Sequence, residues 1–353
     1  MSTDGQLLDV DDLHVSFRTE DGTVKAVDGV SFSVRRGEVV AIVGESGSGK
    51  SVTAMTLMGL TRGPNAQFEG EATFEGTELV QASDDQLRRI RGAGIAMVFQ
   101  DPMSSLDPVY RVGKQIVEQI RVHEKISRAA AMDRAVRMME RVGIPRAKDR
   151  LRSYPHEFSG GMRQRVMIAM ALSCSPSLLI ADEPTTALDV TIQAQILDEL
   201  RDLRDQTDAG IILVTHDLGV VADIADRVIV MYAGRVVEQG TLDEVFYDPQ
   251  HPYTWGLLGS IPRLDADRAQ RLPAIPGQPP SLLRPPEGCA FRPRCPHAFD
   301  KCTEVPALIN RSPESSDSLD RCFLPVDDKR RLRVVDERIG LAADAGGTAT
   351  GSV

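Results

Sequence analysis

Residues 44–51 read GESGSGKS, a complete match to the pattern G-x-x-x-x-G-K-[S/T]. Gly44, Gly47 and Gly49 admit backbone conformations and close approaches that side chains would block. The N–H groups of such a loop, with the helix N-terminus behind it, form a cradle for phosphates. Lys50 brings a positive charge to the β- and γ-phosphates, and the Ser51 hydroxyl is placed to ligate Mg²⁺. The flanks supply the required context. VVAIV (39–43) is a short continuous apolar run, as in a strand buried on both faces, and SVTAMTLMGL (51–60) reads as a helix.

Outward from the loop, strand and helix signals alternate. LLDVDDLHVSF (7–17) and VKAVDGVSFSV (24–34) alternate apolar with polar residues around an Asp21-Gly22 turn signal. ATFEG (72–76) and IAMVFQ (95–100) read as strands, and residues 112–142 show helical spacing. SLLIA (177–181) and GIILVT (210–215) are further buried-strand runs, and VIVMYAGRVVEQG (228–240) reads as a hairpin turning at Ala233-Gly234. This order predicts an α/β domain on a mostly parallel sheet. Near residue 248 the composition shifts. DPQHPYT opens a proline-rich stretch, with six prolines between Pro273 and Pro286, and the last residues, LAADAGGTATGSV, are small and polar. The expected division is an ATPase domain at 7–247, a loop-rich extension at 248–335 and a disordered tail at 336–353.

Bulk properties narrow the class. The 353 residues are 42% hydrophobic and 26% charged, an ordinary globular balance, and the net charge of −10 argues against a nucleic-acid partner. The N-terminus is acidic and no run of 18 apolar residues exists, so neither a secretory signal nor a membrane span is expected.

Two more stretches carry chemistry. LLIADE (178–183) is an apolar strand ending in two acids. Asp182 would hold Mg²⁺ through its water shell, and Glu183 is placed to activate a water as general base. SGGMRQR (159–165) opens a helix: Ser159 is a good N-cap, and Gly160-Gly161 leave backbone donors uncovered. The chain thus has two phosphate-binding helix ends, as in ATPases that sandwich nucleotide between two subunits.

Together these motifs resemble an ABC-transporter ATPase: a P-loop fold with a RecA-like parallel-sheet core, an N-terminal antiparallel β subdomain, an inserted helical subdomain and a small extension. GESGSGKS matches Walker A, LLIADE matches Walker B, and FSGGM matches the signature, with Phe158 and Met162 replacing its usual Leu and Gln. The resemblance implies that Gln100 is the Q-loop glutamine, sensing Mg²⁺ and touching the membrane subunit. It implies that TALD (186–189) is the D-loop, with Asp189 at the dimer interface, and that His216 is the switch histidine on the γ-phosphate. Phe17 stands where the family stacks an aromatic on adenine. The residues so assigned to ATP are Phe17, Gly44, Glu45, Ser46, Gly47, Ser48, Gly49, Lys50, Ser51, Val52, Gln100 and Asp182. Mg²⁺ goes to Ser51, Gln100 and Asp182, catalysis to Glu183, His216 and Lys50, and the partner's ATP to Ser159, Gly160, Gly161 and Met162.

QDPMSSLDPVYRVGKQI (100–116) and HPYTWGLLGSIP (251–262) narrow the resemblance to the dipeptide/oligopeptide importer ATPases, a group that includes nickel importers. The implied partners are a second, related ATPase chain, two transmembrane permease subunits reached through residues 101–116, and indirectly an extracytoplasmic solute-binding protein. The implied place is the cytoplasmic face of the membrane. An ABC ATPase acting on DNA or ribosomes would carry a long coiled coil or a second cassette, and a module without turnover would lack Glu183.

Four of the five cysteines, Cys289, Cys295, Cys302 and Cys322, crowd near the C-terminus with spacing C-x5-C-x6-C-x19-C, while Cys174 reads as core. Thiolates suit zinc or an iron–sulfur cluster. No C-x2-4-C pair is present, and some members of the importer group carry a [4Fe–4S] cluster at matching cysteines. The expectation is one [4Fe–4S] cluster, with zinc and a metal-free segment as alternatives.

Overall fold

The computed structural model describes residues 5–101, 105–186, 188–260, 275–310 and 317–335. Its strands form two sheets. β1 (Gln6–Thr19) and β2 (Gly22–Arg35) pair antiparallel, Thr19 opposite Gly22, so the turn is Glu20-Asp21, one residue before the Asp-Gly signal. β3 (Val39–Val43) is buried throughout and belongs to the other sheet. β4 (Ala66–Phe74) pairs with β1, and β5 (Thr77–Glu78) completes a four-stranded antiparallel sheet in the order β2-β1-β4-β5.

The second sheet adds β6 (Ile95–Val98), β7 (Leu178–Asp182), β8 (Gly210–Thr215), β9 (Arg227–Tyr232), β10 (Arg235–Thr241), β11 (Ile309–Asn310) and β12 (Leu319–Asp320). Its order is β11-β12-β10-β9-β3-β8-β7-β6. From β9 to β6 every pairing is parallel; from β9 to β11 every pairing is antiparallel. The parallel strands are buried on both faces, which is why they read as unbroken apolar runs. The β9–β10 hairpin turns at Ala233-Gly234, with φ 49° and 79°, the pair of left-handed residues that a tight two-residue hairpin needs.

The helical insertion comprises helices Val112–His123, Arg128–Arg141 and Gly160–Leu172. The single helical stretch expected over 112–142 is two helices. Glu124 leaves helical geometry at φ −125°, and Ser127 caps the second helix by accepting from the amide of Ala130. Ile116 and Ile120 on one helix and Ala131, Ala135 and Met139 on the next repeat every fourth residue and share a core with β6 and β7.

The C-terminal extension is joined to the main sheet rather than appended to it. Glu238 and Gln239 of β10 pair with Asp320 and Leu319 of β12. Lys329 donates to Asp320 at 2.6 Å, both side chains lying within 1% of full burial. Helix Pro252–Gly259 places Tyr253 and Leu258 in one core with Val43, Val230, Tyr232 and Phe291. The tail expected to be disordered, 336–353, lies outside the described residues, as do 102–104. Among the described residues no helix is long and apolar enough to cross a membrane.

Candidate functional site

The expected site residues gather at the carboxyl ends of four adjacent strands. The phosphate loop follows β3, Gln100 follows β6, Glu183 follows β7, and His216 follows β8. This edge is where open α/β sheets bind ligands, because chain reversals there leave backbone donors and a crevice.

The loop is held by its glycines and its lysine. Gly44 has φ 149°, and a Cβ on it would stand 2.2 Å from the Met231 carbonyl oxygen. Gly49 (φ 102°) caps helix Lys50–Leu57, and a Cβ there would meet the Ala26 carbonyl oxygen at 2.5 Å. Lys50, 6% exposed, donates to the carbonyls of Gly44 at 2.7 Å and Glu45 at 3.0 Å, folding the loop around its ammonium. Burial pulls that ammonium below the ordinary lysine range, against the opposing pull of Glu183, Asp182 and Glu45.

Behind the lysine, the Ser51 hydroxyl donates to Asp182 Oδ1 at 3.0 Å. Asp182 is 4% exposed, and burial raises its carboxyl despite that bond and the nearby Lys50. Two hard oxygen ligands in contact, one of them a carboxylate disfavoured by burial, fit a divalent cation such as Mg²⁺. Gln100 does not join them: its Nε2 donates to Glu183 Oε2 at 3.0 Å.

Glu183 is the centre of the polar network. Besides Gln100, the Thr186 hydroxyl donates to Oε2 at 3.0 Å, and His216 Nδ1 lies 3.0 Å from Oε1. Burial pushes this carboxyl up, but the bonds from His216 and Thr186 and the charges of His216 and Lys50 outweigh it and hold it below the usual glutamate range. Its backbone has φ 50°, a left-handed conformation that costs a non-glycine residue of order 1–3 kcal/mol. The Glu183 amide donates to the Val214 carbonyl at 2.8 Å, and Gln164 Nε2 supports the same turn through the Pro184 carbonyl at 2.6 Å.

Thr186 and Gln164 were not among the sequence candidates. Gln164 lies in the signature stretch, yet it is 2% exposed and faces the Glu183 turn. It stands between Arg163 and Arg165 in the sequence, so nothing local marked it as buried.

Ser159 caps helix Gly160–Leu172, and Ser159 and Gly160 are exposed. Asp189 is likewise exposed and caps helix Val190–Thr207, accepting from the Ile192 amide at 3.1 Å. Phe17 is half-buried and packs against the core shared by the two sheets. Ser46 and Gly47 are exposed at the crest of the loop. Glu45 is turned to the C-terminal extension: its amide donates to the Tyr253 hydroxyl at 2.7 Å, and its carboxylate accepts from Arg294.

The cysteine expectation is corrected. Cys289, Cys295, Cys302 and Cys322 line one cavity, but its volume is about 10 Å³, room for roughly one water. Among the described residues, no group of three or more His, Cys, Asp or Glu side chains is placed to hold a metal ion. Burial pushes the thiol of Cys295 up to about 12 and that of Cys322 up to about 11, and it raises Cys289 as well. The four side chains share this small cavity with Phe291 and Phe299, so neither the [4Fe–4S] cluster nor zinc is retained. Cys174 is 8% exposed, as a core residue should be.

Comparison with known proteins agrees with this geometry. The family model "ABC transporter" matches residues 27–186, and "Oligopeptide/dipeptide transporter, C-terminal region" matches 237–302. The oligopeptide transport ATP-binding protein OppD of Salmonella typhimurium is 54% identical over 322 residues, 91% of this chain and 95% of its own. The dipeptide transport ATP-binding protein DppD of Bacillus subtilis is 55% identical, over 85% of this chain and 90% of its own. Among solved structures, a dimeric ATP-binding cassette in a post-hydrolysis state with ADP and Pi aligns with TM-score 0.62 at 26% identity, covering 67% of this chain and 99% of its own. cbiO1 of Clostridium perfringens, part of an ABC transporter complex, aligns with TM-score 0.56 at 31% identity, over 69% of this chain and 91% of its own.

Proposed function

This chain belongs to the ABC transporter family, among the oligopeptide and dipeptide transport ATP-binding proteins, and on that premise we propose that it hydrolyses ATP to power uptake of peptides or a similar small solute. The observation that carries the reading is the convergence of Gln100, Thr186 and His216 on Glu183, beside a complete phosphate loop. A carboxylate held ionised by His216, Thr186 and Lys50 and oriented by Gln100 is equipped to take a proton from water.

The phosphate loop and Lys50 bind and orient the triphosphate. Ser51 and Asp182 would hold Mg²⁺, which supplies neutralisation of charge on the phosphate oxygens. A water on the γ-side gives its proton to Glu183 as its oxygen bonds to phosphorus and the bond to the β-phosphate oxygen breaks. His216 orients the carboxylate and is placed to stabilise the charge of the transferring group. The exposed helix end at Ser159–Met162 is free to close over the nucleotide of a second ATPase subunit, and exposed Asp189 suits the same interface.

The chain works against membrane permease subunits, peripheral to the membrane on its cytoplasmic face. A related chain as partner and an extracytoplasmic solute-binding protein complete the proposed assembly. A groove of about 520 Å³, lined by Phe99, Ser105, Glu118, Val122, His123 and Met167, lies beside the Q-loop and is the permease contact proposed here. The test is ATP hydrolysis by the co-purified importer with uptake of labelled peptide into vesicles. No stimulation of hydrolysis by assembly, or uptake without hydrolysis, would overturn the reading.

A further inference from the structure

The HPYT stretch that marks the C-terminal extension takes no part in the hydrolysis steps above, yet it reaches the phosphate loop. His251 and Gln250 anchor it, their amides donating to the buried carboxylate of Glu238 on β10. From there helix Pro252–Gly259 points the Tyr253 hydroxyl at the loop, where it accepts from the Glu45 amide at 2.7 Å. Arg294, 8% exposed, forks onto the Glu45 carboxylate from the same side, with contacts of 2.5 Å and 3.0 Å. The guanidinium is itself fixed by the carbonyls of Pro276 at 2.9 Å and Ile275 at 3.2 Å, and by the Tyr232 hydroxyl at 3.3 Å. Tyr232, Tyr253 and Phe291 pack ring against ring beneath this network, with centroids 4.5–5.4 Å apart.

We propose that Tyr253 and Arg294 of the extension are positioning residues for ATP binding, clamping Glu45 so that the phosphate loop is already in its binding shape when nucleotide arrives. This rests on the ATPase reading above. Glu45 follows Gly44 at the entrance to the loop, and both its polar ends are taken by the extension, which leaves the later amides of the loop to the phosphates. A bidentate guanidinium–carboxylate pair with a buried arginine and a partly exposed glutamate is stronger and more directional than a fully exposed ion pair, and lysine does not reproduce it. A loop fixed before binding loses less freedom on binding, so the benefit falls on affinity rather than on the chemical step.

The experiment compares the full-length wild type with Tyr253→Phe, Arg294→Lys, Glu45→Gln and the Glu45→Gln/Arg294→Lys double variant. ATP affinity is measured by titration, KM and kcat in the assembled importer, and Tm on each chain. Each single substitution is expected to raise the Kd and KM for ATP about tenfold, or about 1.4 kcal/mol, with kcat within about twofold. The double variant is expected to match the singles, because both remove one contact. Lowered Tm and kcat with unchanged Kd and KM would show a merely structural role and overturn the clamp, as would fully additive effects in the double variant. Tyr253→Phe removes a single oxygen and keeps the ring packing, so it reports even where an Arg294 variant folds poorly. A wild type that binds no ATP would sink the ATPase reading itself, whereas wild-type binding with unaltered variants would sink the clamp alone.

Discussion

Nδ1 of His216 stands 3.0 Å from Oε1 of Glu183, each residue being the first beyond its strand, β8 and β7, which lie side by side in register. The pair is therefore set by sheet geometry, not by a mobile loop. Because the carboxylate can only accept, the histidine donates through Nδ1. Glu183→Gln is expected to lower kcat of the importer by about 10²–10⁴-fold while leaving ATP affinity unchanged. Steady-state hydrolysis with the change at every active site checks this, and near-normal turnover would remove Glu183 from its role.

Lys50→Ala acts at another level. The buried ammonium organises the loop through the Gly44 and Glu45 carbonyls and carries the charge that meets the phosphates. ATP affinity is expected to fall by about tenfold or more, equivalent to about 1.4 kcal/mol. Equilibrium titration of the full chain gives the answer, and an unchanged Kd would count against the phosphate-loop assignment.

Gly44→Ala should be costly without touching any nucleotide. The new methyl would lie 2.2 Å from the Met231 carbonyl, in a backbone conformation that alanine resists. The strain alone is of order 1–3 kcal/mol. Thermal unfolding without ligand should show Tm lowered by about 2–4 °C per kcal/mol lost. A wild-type Tm would mean that the loop adopts another path.

The junction between β10 and the extension carries two buried groups with opposed pH dependence. The amide of Tyr253 donates to His251 Nδ1 at 3.1 Å, and burial, with Lys329 and Arg321 near, lowers the ring's pKa from 6.5 to about 3. Its contribution to stability is complete above about 6.5 and is lost as pH falls towards 3. Burial raises Glu238 from 4.5 to about 7, against the amides of Gln250 and His251, so the folded state keeps a proton that the unfolded chain releases. That contribution is complete below 4.5 and is lost as pH rises through about 7. Glu238→Gln should remove only the second dependence. Its Tm relative to wild type should climb between pH 4.5 and 7, and parallel curves for the two proteins would refute the assignment.

Coupling to the permease is best probed at Val122, which is 73% exposed on the groove beside the Q-loop. Leu106, attractive from its place after the Q-loop glutamine, is 4% exposed in the helical core, and a charge there would unfold rather than uncouple. Val122→Glu is expected to leave ATP hydrolysis near wild type and to lower peptide uptake severalfold. A cysteine at 122 that crosslinks to no permease residue would end the idea.

What was legible in the sequence was local. Gly44, Lys50 and Ser51 sit within eight residues, and the buried parallel strands announce themselves as apolar runs between turns. Asp182 and Glu183 stand at a strand end that the pattern marks. What was not legible depends on contacts between distant residues. Arg294 meets Glu45 across 249 positions, and no periodicity predicts which arginine does so. β11 and β12 are two residues each, too short for alternation to show, so the extension read as loops although it enters the main sheet. Cysteine spacing, likewise, carried no information on how much space the four thiols leave between them.

The pairing of β12 with β10 has one more consequence. Without the extension, the backbone of Glu238 and Gln239 would become a bare sheet margin, open to pairing with another polypeptide. The last part of the chain thus guards against self-association, and a version shortened at residue 248 should be prone to clumping rather than behave as a minimal catalytic unit.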